Sequence, residues 1–202
     1  MTSLDNRQAT QGLAAARRAM VDSQLRVSGV NAELVRERMS SVPRENFVPE
    51  AARAIAYMDR AIPLGNGRYL AAPLVQGKML EEAAPVKADR ALLVDGGSGY
   101  MAELLRPVVG TLETISPEEA LAKSRTKGDF TLLVIDGAIE RLPEQLSLRL
   151  ADNARVVTGL VVRGITRLAI GRKVAGEVAL IPLTEIGIPV LAEFAKPKSW
   201  SF

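Results

Sequence analysis

The residues best placed to do chemistry lie in the octapeptide Leu93–Tyr100, "LVDGGSGY". It follows the apolar pair Ala91-Leu92, so a buried strand runs into clustered glycines. A glycine turn lets backbone N–H groups approach a ligand closely, and a helix that opens near Tyr100 would direct its N-terminus at the same point. Strand, glycine loop and helix in this order are typical of a ligand-binding loop.

Two acidic residues fall at comparable places farther along the chain. Glu113 ends a second predicted strand and Asp136 ends a third. In an open parallel sheet, ligands bind beyond the carboxyl ends of the strands, where an acidic side chain can accept both hydroxyls of a ribose. The pattern predicts a nucleoside site with the following candidate residues: Asp95, Gly97, Gly99, Glu113 and Asp136.

The charge of Asp95 narrows the expected ligand. A carboxylate at the mouth of a phosphate-binding loop would repel its ligand, whereas the ammonium group of a methionine moiety would be attracted to it. The loop therefore favours an S-adenosylmethionine pocket over a phosphate pocket.

The second half of the chain must position these residues as a mostly parallel sheet. Its strands are rich in Leu and Val without polar alternation, and helical stretches separate them, which is typical of strands buried on both faces. Strands are predicted at 91–95, 109–114, 130–136 and 154–162, and helices at 100–106, 117–124 and 143–150. The segments 166–173 and 177–183, joined by a turn at Gly176, predict an antiparallel hairpin at the sheet edge.

The sequence of the first half of the chain predicts helices and one turn-rich segment. Helices are predicted at 8–28, 32–41, 50–57 and 74–84. Gly29 should end the first helix and Asn31 should cap the second. Residues 59–73 should be extended, with a turn at Gly65-Asn66-Gly67.

Composition excludes several kinds of site. The 202 residues contain no cysteine and no histidine, which rules out disulfides, thiolate or Ser-His catalysis and Cys- or His-ligated metal. The net charge of +3 is too mild and too evenly spread to indicate nucleic acid or membrane as a partner. The amino terminus shows no signal pattern and no apolar run could span a bilayer, so a cytoplasmic protein is expected.

Three stretches carry a resemblance to a known family: "MVDSQLRVSGV", "SVPRENFVPEAARAIAYMDRAIPLGNGRYLAAPLV" and "LVDGGSGYMAELL". They resemble the protein-L-isoaspartate O-methyltransferases, most of all their proteobacterial members. The likeness runs from about Arg17 to Phe202, including the closing "EFAKPKSWSF". It implies a Rossmann-like methyltransferase sheet behind an N-terminal helical extension. It also implies transfer of a methyl group from S-adenosylmethionine to isoaspartyl carboxylates of damaged proteins.

Two motifs depart from the family pattern. Leu93 stands where the family has the acid directed at the methionine ammonium, and Asp95 stands where it has the first glycine of the loop. In many members a Ser-Gln-Pro motif supplies a hydroxyl to the substrate carboxylate, but here the sequence is Ala71-Ala72-Pro73. A methyl side chain cannot donate a hydrogen bond, so no catalytic residue is assigned, and activity is expected to be reduced or lost.

A third departure is a deletion. The chain passes from the helix 117–124 through Thr126–Asp129 directly into the strand 130–136, where the family inserts another strand and helix. The sheet should therefore be shortened by one strand-helix unit and should expose a new edge near 108–114. The expected division is an N-terminal extension with the family-specific substrate segment at 1–84, and a Rossmann-like domain at 85–202.

Three interpretations remain open at the level of sequence. The first is an active carboxyl methyltransferase that acts on isoaspartyl proteins or peptides. The second is a noncatalytic descendant that serves as a binding or assembly module and could form a homodimer through the new edge or the apolar tail. The third is an altered small-molecule site that uses Asp95 and Asp136 together, with or without a metal.

Overall fold

The computed structural model describes the backbone of residues 2–123 and 128–196 and the side chains of residues 11–123 and 128–196. The last residue of the predicted helix 117–124, the segment Thr126-Lys127 and the final residues of the "EFAKPKSWSF" motif lie outside these ranges.

The N-terminal third is helical, as predicted. Helix α1 (Thr2–Ala19) continues into one π-helical turn, Met20–Leu25, and Gly29 follows with a positive φ of 80°. Helix α2 spans Glu33–Ser41, close to the predicted 32–41. Two 3-10 turns, Arg44–Phe47 and Glu50–Ile55, then lead into the hairpin segment, so the predicted helix at 50–57 is a 3-10 helix instead.

The start of α2 is capped from a distance and not by Asn31. Ala32 occupies the N-cap position and offers no side-chain acceptor. Instead the Glu81 carboxylate accepts hydrogen bonds from the N–H groups of Asn31 (2.7 Å) and Ala32 (2.8 Å). Glu81 lies on helix α3 (Pro73–Ala83), so this carboxylate ties α2 to α3.

The turn-rich segment forms a small antiparallel hairpin. Strands β1 (Ile62–Gly65) and β2 (Arg68–Leu70) are joined by Asn66-Gly67, both with positive φ, as a two-residue type I′ hairpin requires. The predicted turn is confirmed. Helix α3 follows directly, and Ala84 ends it in the left-handed conformation before Pro85.

The second half forms one six-stranded sheet in the order β4-β3-β5-β6-β7-β8. The strands are β3 (Arg90–Val94), β4 (Thr111–Ile115), β5 (Phe130–Ile139), β6 (Leu150–Val162), β7 (Ile165–Val174) and β8 (Glu177–Glu185). Strands β3 to β6 pair in parallel and β6 to β8 in antiparallel fashion. The predicted Rossmann-like α/β class, its parallel sheet and its antiparallel C-terminal hairpin are confirmed.

Short helices connect the parallel strands: α4 (Tyr100–Leu105), α5 (Pro117–Ala120) and α6 (Glu144–Leu148). Because the chain goes from α5 into β5, strand β4 forms one edge of the sheet, as the deletion predicts.

Each face of the sheet is covered by its own hydrophobic core. Side chains alternate along β3, so Leu93 packs with α3 and the N-terminal helices, whereas Leu92 packs on the opposite face with Phe130 and Phe194. The first core joins Met79 on one side of the expected boundary at 84/85 to Val134 on the other. Residues on both sides of the expected domain boundary thus share one core, and the division into domains at 84/85 stays a prediction. Among the residues whose structure is described, no helix combines the length and apolarity needed to cross a bilayer.

The capping role of Glu81 predicts a measurable loss of stability. Glu81→Ala should lower the free energy of unfolding by about 1–2 kcal/mol, the usual effect of removing a helix cap. Glu81→Gln keeps an acceptor oxygen and should lose less. The exposed neighbour Glu82 accepts no hydrogen bond within the described chain. Glu82→Ala should therefore have the same free energy of unfolding as the native protein in urea. Equal losses for Glu81→Ala and Glu82→Ala would contradict the assignment.

Candidate functional site

The glycine loop lies at the carboxyl end of β3, as predicted. Strand β3 ends at Val94 and α4 begins at Tyr100. Gly97 (φ 106°) and Gly99 (φ 73°) adopt conformations that favour glycine, and Gly99 is the N-cap of α4. Their N–H groups are thus turned toward the inside of the loop, where a ligand could accept from them.

The carboxylate of Asp95 already occupies these donors. It accepts a hydrogen bond from the Gly97 N–H at 3.2 Å and from the Gly99 N–H at 3.1 Å. Burial raises the pKa of this carboxyl group, and the two backbone donors oppose that rise. The Asp95 carboxylate is therefore hydrogen-bonded to both N–H groups, and any ligand of these groups must displace it.

A cavity of about 510 Å³ lies directly beside the loop. It is lined by Asn66, Arg68, Asp95, Gly97, Thr114–Glu118 and Glu193. Three of these side chains are carboxylates and one is a guanidinium, so acidic groups outnumber basic ones in the lining. Its volume lies within the usual range for small-molecule sites, roughly 300–1,000 Å³.

Arg68 lies along this cavity and forms ion pairs with two of its carboxylates. Its guanidinium contacts Glu118 at 2.6 Å, just after β4, and Glu193 at 2.9 Å, in the C-terminal 3-10 turn Ala192–Phe194. Its aliphatic stem packs on the glycine loop so closely that a Cβ built on Gly97 would lie 3.0 Å from Arg68 Cγ. The hairpin, α5 and the C-terminal segment are thereby held together over the loop.

Glu113 does not share the cavity with Asp95. The prediction that it ends its strand was wrong, because β4 continues to Ile115. Glu113 faces the other side of the sheet, where it pairs with Arg149, whose guanidinium carbon lies 5.2 Å from the ring centroid of Phe130. The next residue, Thr114, points the opposite way and lines the cavity instead.

Asp136 is likewise not a strand end. Strand β5 runs on to Ile139, and Asp136 is buried. Its carbonyl oxygen lies so close to Gly96 that a Cβ built on Gly96 would collide with it. Its carboxylate accepts from Gln76 Nε2 at 3.2 and 3.4 Å. Burial, reinforced by repulsion from Asp95, raises the pKa of Asp136 to about 7, while Gln76 and Arg44 oppose the rise.

Asp95 and Asp136 thus lie near each other without forming a joint open site. No group of three or more acidic side chains in the described ranges is arranged to hold a metal ion.

A buried arginine, which sequence reasoning did not assign to the site, connects these elements. Arg44 is 0% exposed and donates to the carbonyl oxygens of Ala56 (2.8 Å) and Ala71 and to Gln76 Oε1. Its guanidinium carbon lies 5.1 Å from the Tyr100 ring centroid, and burial lowers its pKa to about 10. The only signal in the sequence was its place in the "VPRENFVP" string.

The pair Ala71-Ala72 joins β2 to α3 at this point. The Ala71 carbonyl oxygen is held by Arg44, and Ala72 is the N-cap residue of α3. Both side chains are buried methyl groups. The local backbone is therefore firmly positioned, but neither side chain can bind a carboxylate.

The "AYMD" string is accounted for by structural contacts. The Tyr57 hydroxyl donates to Glu45 and accepts from Arg17 Nε at 2.9 Å, and burial raises the pKa of Tyr57. Asp59 accepts from the Leu74 N–H at 3.2 Å, in the first turn of α3. Asp59 thus holds the turn that follows Ala71 and Ala72, whereas Tyr57 ties Glu45 to helix α1.

The raised pKa of Asp136 predicts how stability depends on pH. An unfolded Asp has a pKa near 3.9, so between about pH 4 and pH 7 the folded protein holds a proton that the unfolded chain has lost. This contribution is complete below the unfolded pKa, and it disappears as the pH rises through the folded pKa of about 7. The free energy of unfolding should therefore fall over that interval.

Asp136→Asn removes the titration and should flatten this fall by on the order of 1 kcal/mol or more. Urea unfolding at about pH 5 and about pH 8 measures the difference. The exposed control Asp152→Asn should follow the native protein. Parallel curves for native protein and Asp136→Asn would contradict the buried titration.

Comparison with known proteins identifies related sequences and structures. A sequence model described as Protein-L-isoaspartate(D-aspartate) O-methyltransferase (PCMT) matches residues 15–126. The chain is 33% identical over 165 residues to Protein-L-isoaspartate O-methyltransferase 2 of Anaeromyxobacter sp. (strain Fw109-5), which covers 70% of this chain and 68% of the relative. It is 30% identical over 190 residues to Protein-L-isoaspartate O-methyltransferase of Koribacter versatilis (strain Ellin345), with coverages of 82% and 86%.

Two solved structures share the fold. A putative protein-L-isoaspartate O-methyltransferase from Plasmodium falciparum, in complex with S-adenosyl-L-homocysteine, superposes with a TM-score of 0.68 at 17% identity over 88% of this chain and 98% of its own. A second protein-L-isoaspartate O-methyltransferase gives a TM-score of 0.69 at 15% identity, over 87% and 66%. By its sequence, the chain belongs to the protein-L-isoaspartate O-methyltransferase family.

Proposed function

We propose that this chain is a weak S-adenosylmethionine-dependent methyltransferase of isoaspartyl carboxylates, with a cofactor site that its own side chain occupies. The observation that carries the proposal is the pair of hydrogen bonds from Gly97 and Gly99 to Asp95, inside a strand–loop–helix element in which both glycines have a positive φ. Family membership supports the reaction, and the occupied donors support the reduced rate.

The cavity fits the cofactor in part. Its volume and its carboxylates suit a nucleoside that carries a methionine ammonium group, and Gly97 and Gly99 can offer N–H groups once Asp95 moves. Glu113 is engaged with Arg149 on the other face, and Asp136 is closed off behind Gly96. In this proposal Gly97 and Gly99 contact the cofactor once Asp95 has moved aside, whereas Glu113 and Asp136 support the sheet around it. When bound, the cofactor supplies an electrophilic methyl group.

The substrate side offers positioning without direct polar catalysis. Arg44 fixes the Ala71 carbonyl, and Asp59 fixes the first turn of α3, so the backbone of the β2–α3 junction is held in place. Because Ala71 and Ala72 cannot donate to the substrate carboxylate, the rate must come from proximity of the two reactants. The segment 1–84 then provides the substrate side and 85–202 the cofactor side.

Removing the Asp95 carboxylate should improve cofactor binding. Asp95→Gly frees both N–H groups from a charge-assisted acceptor, an interaction worth about 1.5–3 kcal/mol. After the added flexibility of glycine is subtracted, about a tenfold lower Kd for S-adenosylhomocysteine is expected in calorimetric titration. Asp95→Asn keeps the size of the side chain but removes its charge, and should fall between the two.

Weaker binding by Asp95→Gly than by the native protein would show that Asp95 is a ligand contact. The same samples, assayed with labelled S-adenosylmethionine and an isoaspartyl peptide, test the activity. The proposal expects slow transfer by the native protein, and no transfer by any of the three proteins would overturn it.

A second candidate, a noncatalytic binding or assembly module, is favoured by the outer hairpin. Val174 is 63% exposed, and Ile181 is 61% exposed on the edge strand β8. Absence of both cofactor binding and methyl transfer, together with a homodimer in light scattering, would favour this function.

A further inference from the structure

The hairpin turn at the rim of the cavity has a chemistry of its own. Asn66 is the one asparagine of the sequence that is followed by glycine. Both residues are exposed, and a Cβ built on Gly67 would meet no atom within 4 Å. Within the described residues, the Asn66 side chain has no hydrogen-bond partner. We propose that Asn66 is a deamidation site, and that its isoaspartyl product is a substrate for the reaction proposed above.

The chemistry requires only the backbone and water. The Gly67 nitrogen loses its proton to solvent and attacks Asn66 Cγ; a new C–N bond forms, the bond from Cγ to the amide nitrogen Nδ2 breaks, and ammonia leaves. Water then opens the resulting succinimide. When it cleaves the bond between the Asn66 α-carbonyl carbon and the Gly67 nitrogen, the backbone is rerouted through Cγ and the α-carboxylate becomes free. Glycine at position 67 allows this attack because it has no side chain to shield its nitrogen.

The turn can open for ring closure without release of the strands. Strands β1 and β2 contain four and three residues, and their register is irregular between Pro63 and Gly65. Residues 65–67 are exposed, whereas Ile62 and Leu70 at the far end of the hairpin are buried. Opening around Asn66 is therefore confined to the exposed turn and costs less than global unfolding.

The position of the product gives the modification a consequence. Asn66 lines the same cavity as Asp95 and Glu193, so deamidation adds a carboxylate where three already lie. Isoaspartate also adds a main-chain atom two residues before Arg68, whose guanidinium clasps Glu118 and Glu193. Methyl esterification would neutralise the new carboxylate. This second step rests on the proposed function, and a second copy of the protein would perform it.

Asn153 provides an internal control for the first step. It is exposed and also has a positive φ, 64°, but it lies within β6 and is followed by the buried Ala154. Its carbonyl oxygen accepts from Arg172 at 3.2 Å. Exposure and backbone conformation are thus matched, whereas the following residue and the hydrogen bond to the asparagine carbonyl are not.

The test incubates the native protein at mildly alkaline pH without cofactor and follows each asparagine by peptide mass spectrometry. Asn66 should convert at least about tenfold faster than Asn153, a ratio that corresponds to about 1.4 kcal/mol in activation free energy. Asn66→Gly keeps a residue that accepts the turn conformation and should show no conversion in the corresponding peptide. Equal rates at Asn66 and Asn153, or an unchanged Asn66, would overturn the deamidation site.

A second arm adds labelled S-adenosylmethionine, a fresh portion of native protein and an isoaspartyl peptide standard. Label on aged native protein but not on aged Asn66→Gly supports the self-substrate. Label on the peptide alone would overturn the self-substrate and leave the proposed function standing. Label on neither would overturn the proposed function, whatever happens at Asn66 in the first arm.

Discussion

The buried guanidinium of Arg44 is the interaction on which the arrangement of this site depends. A fully desolvated charge is tolerated only when its donors are satisfied, and Arg44 reaches partners 12, 27 and 32 positions away in the sequence. Through them it fixes the turn after Glu50–Ile55, the β2–α3 junction and the helix α3 that follows it. Gln76 in turn donates a hydrogen bond to Asp136 in the middle of the sheet. The substrate side and the cofactor side are therefore joined by one buried polar network.

This network accounts for the position of the backbone on both sides of the site. The backbone at Ala71 is still held in place, and the glycine loop still turns its N–H groups inward. What differs is the identity of the groups at the ends of this framework. Methyl side chains stand at 71 and 72, and a carboxylate stands at 95, where it binds the loop's own donors.

Much of the fold could be predicted from the sequence because its strands are continuous apolar runs and its turns have specific residues. The Asn66-Gly67 turn and the hairpin at Gly176 follow from local chemistry alone. The site was harder to predict, since neighbouring residues of a strand face opposite sides of the sheet and an error of one residue exchanges the two faces. Thr114 and not Glu113 therefore lines the cavity, and the continuation of β5 to Ile139 places Asp136 inside the sheet.

Arg44 could not be assigned from spacing at all, because its partners are distant in sequence and two of them are backbone carbonyls. The capping of α2 by Glu81 escaped prediction for the same reason, since 49 and 50 positions separate donor and acceptor. Local signals identify turns and strands, whereas long-range hydrogen bonds to the backbone leave little trace in residue types.

The occupation of the Gly97 and Gly99 N–H groups by the Asp95 carboxylate can be followed by NMR, through the amide resonances of both glycines in an acid titration of the ligand-free protein. The account predicts that the two amides shift together with a single midpoint, above the ordinary range for aspartate because burial raises the pKa of Asp95, and that Asp95→Asn abolishes the transition. Amide resonances of Gly97 and Gly99 that show no common transition, or one that persists in Asp95→Asn, would contradict it.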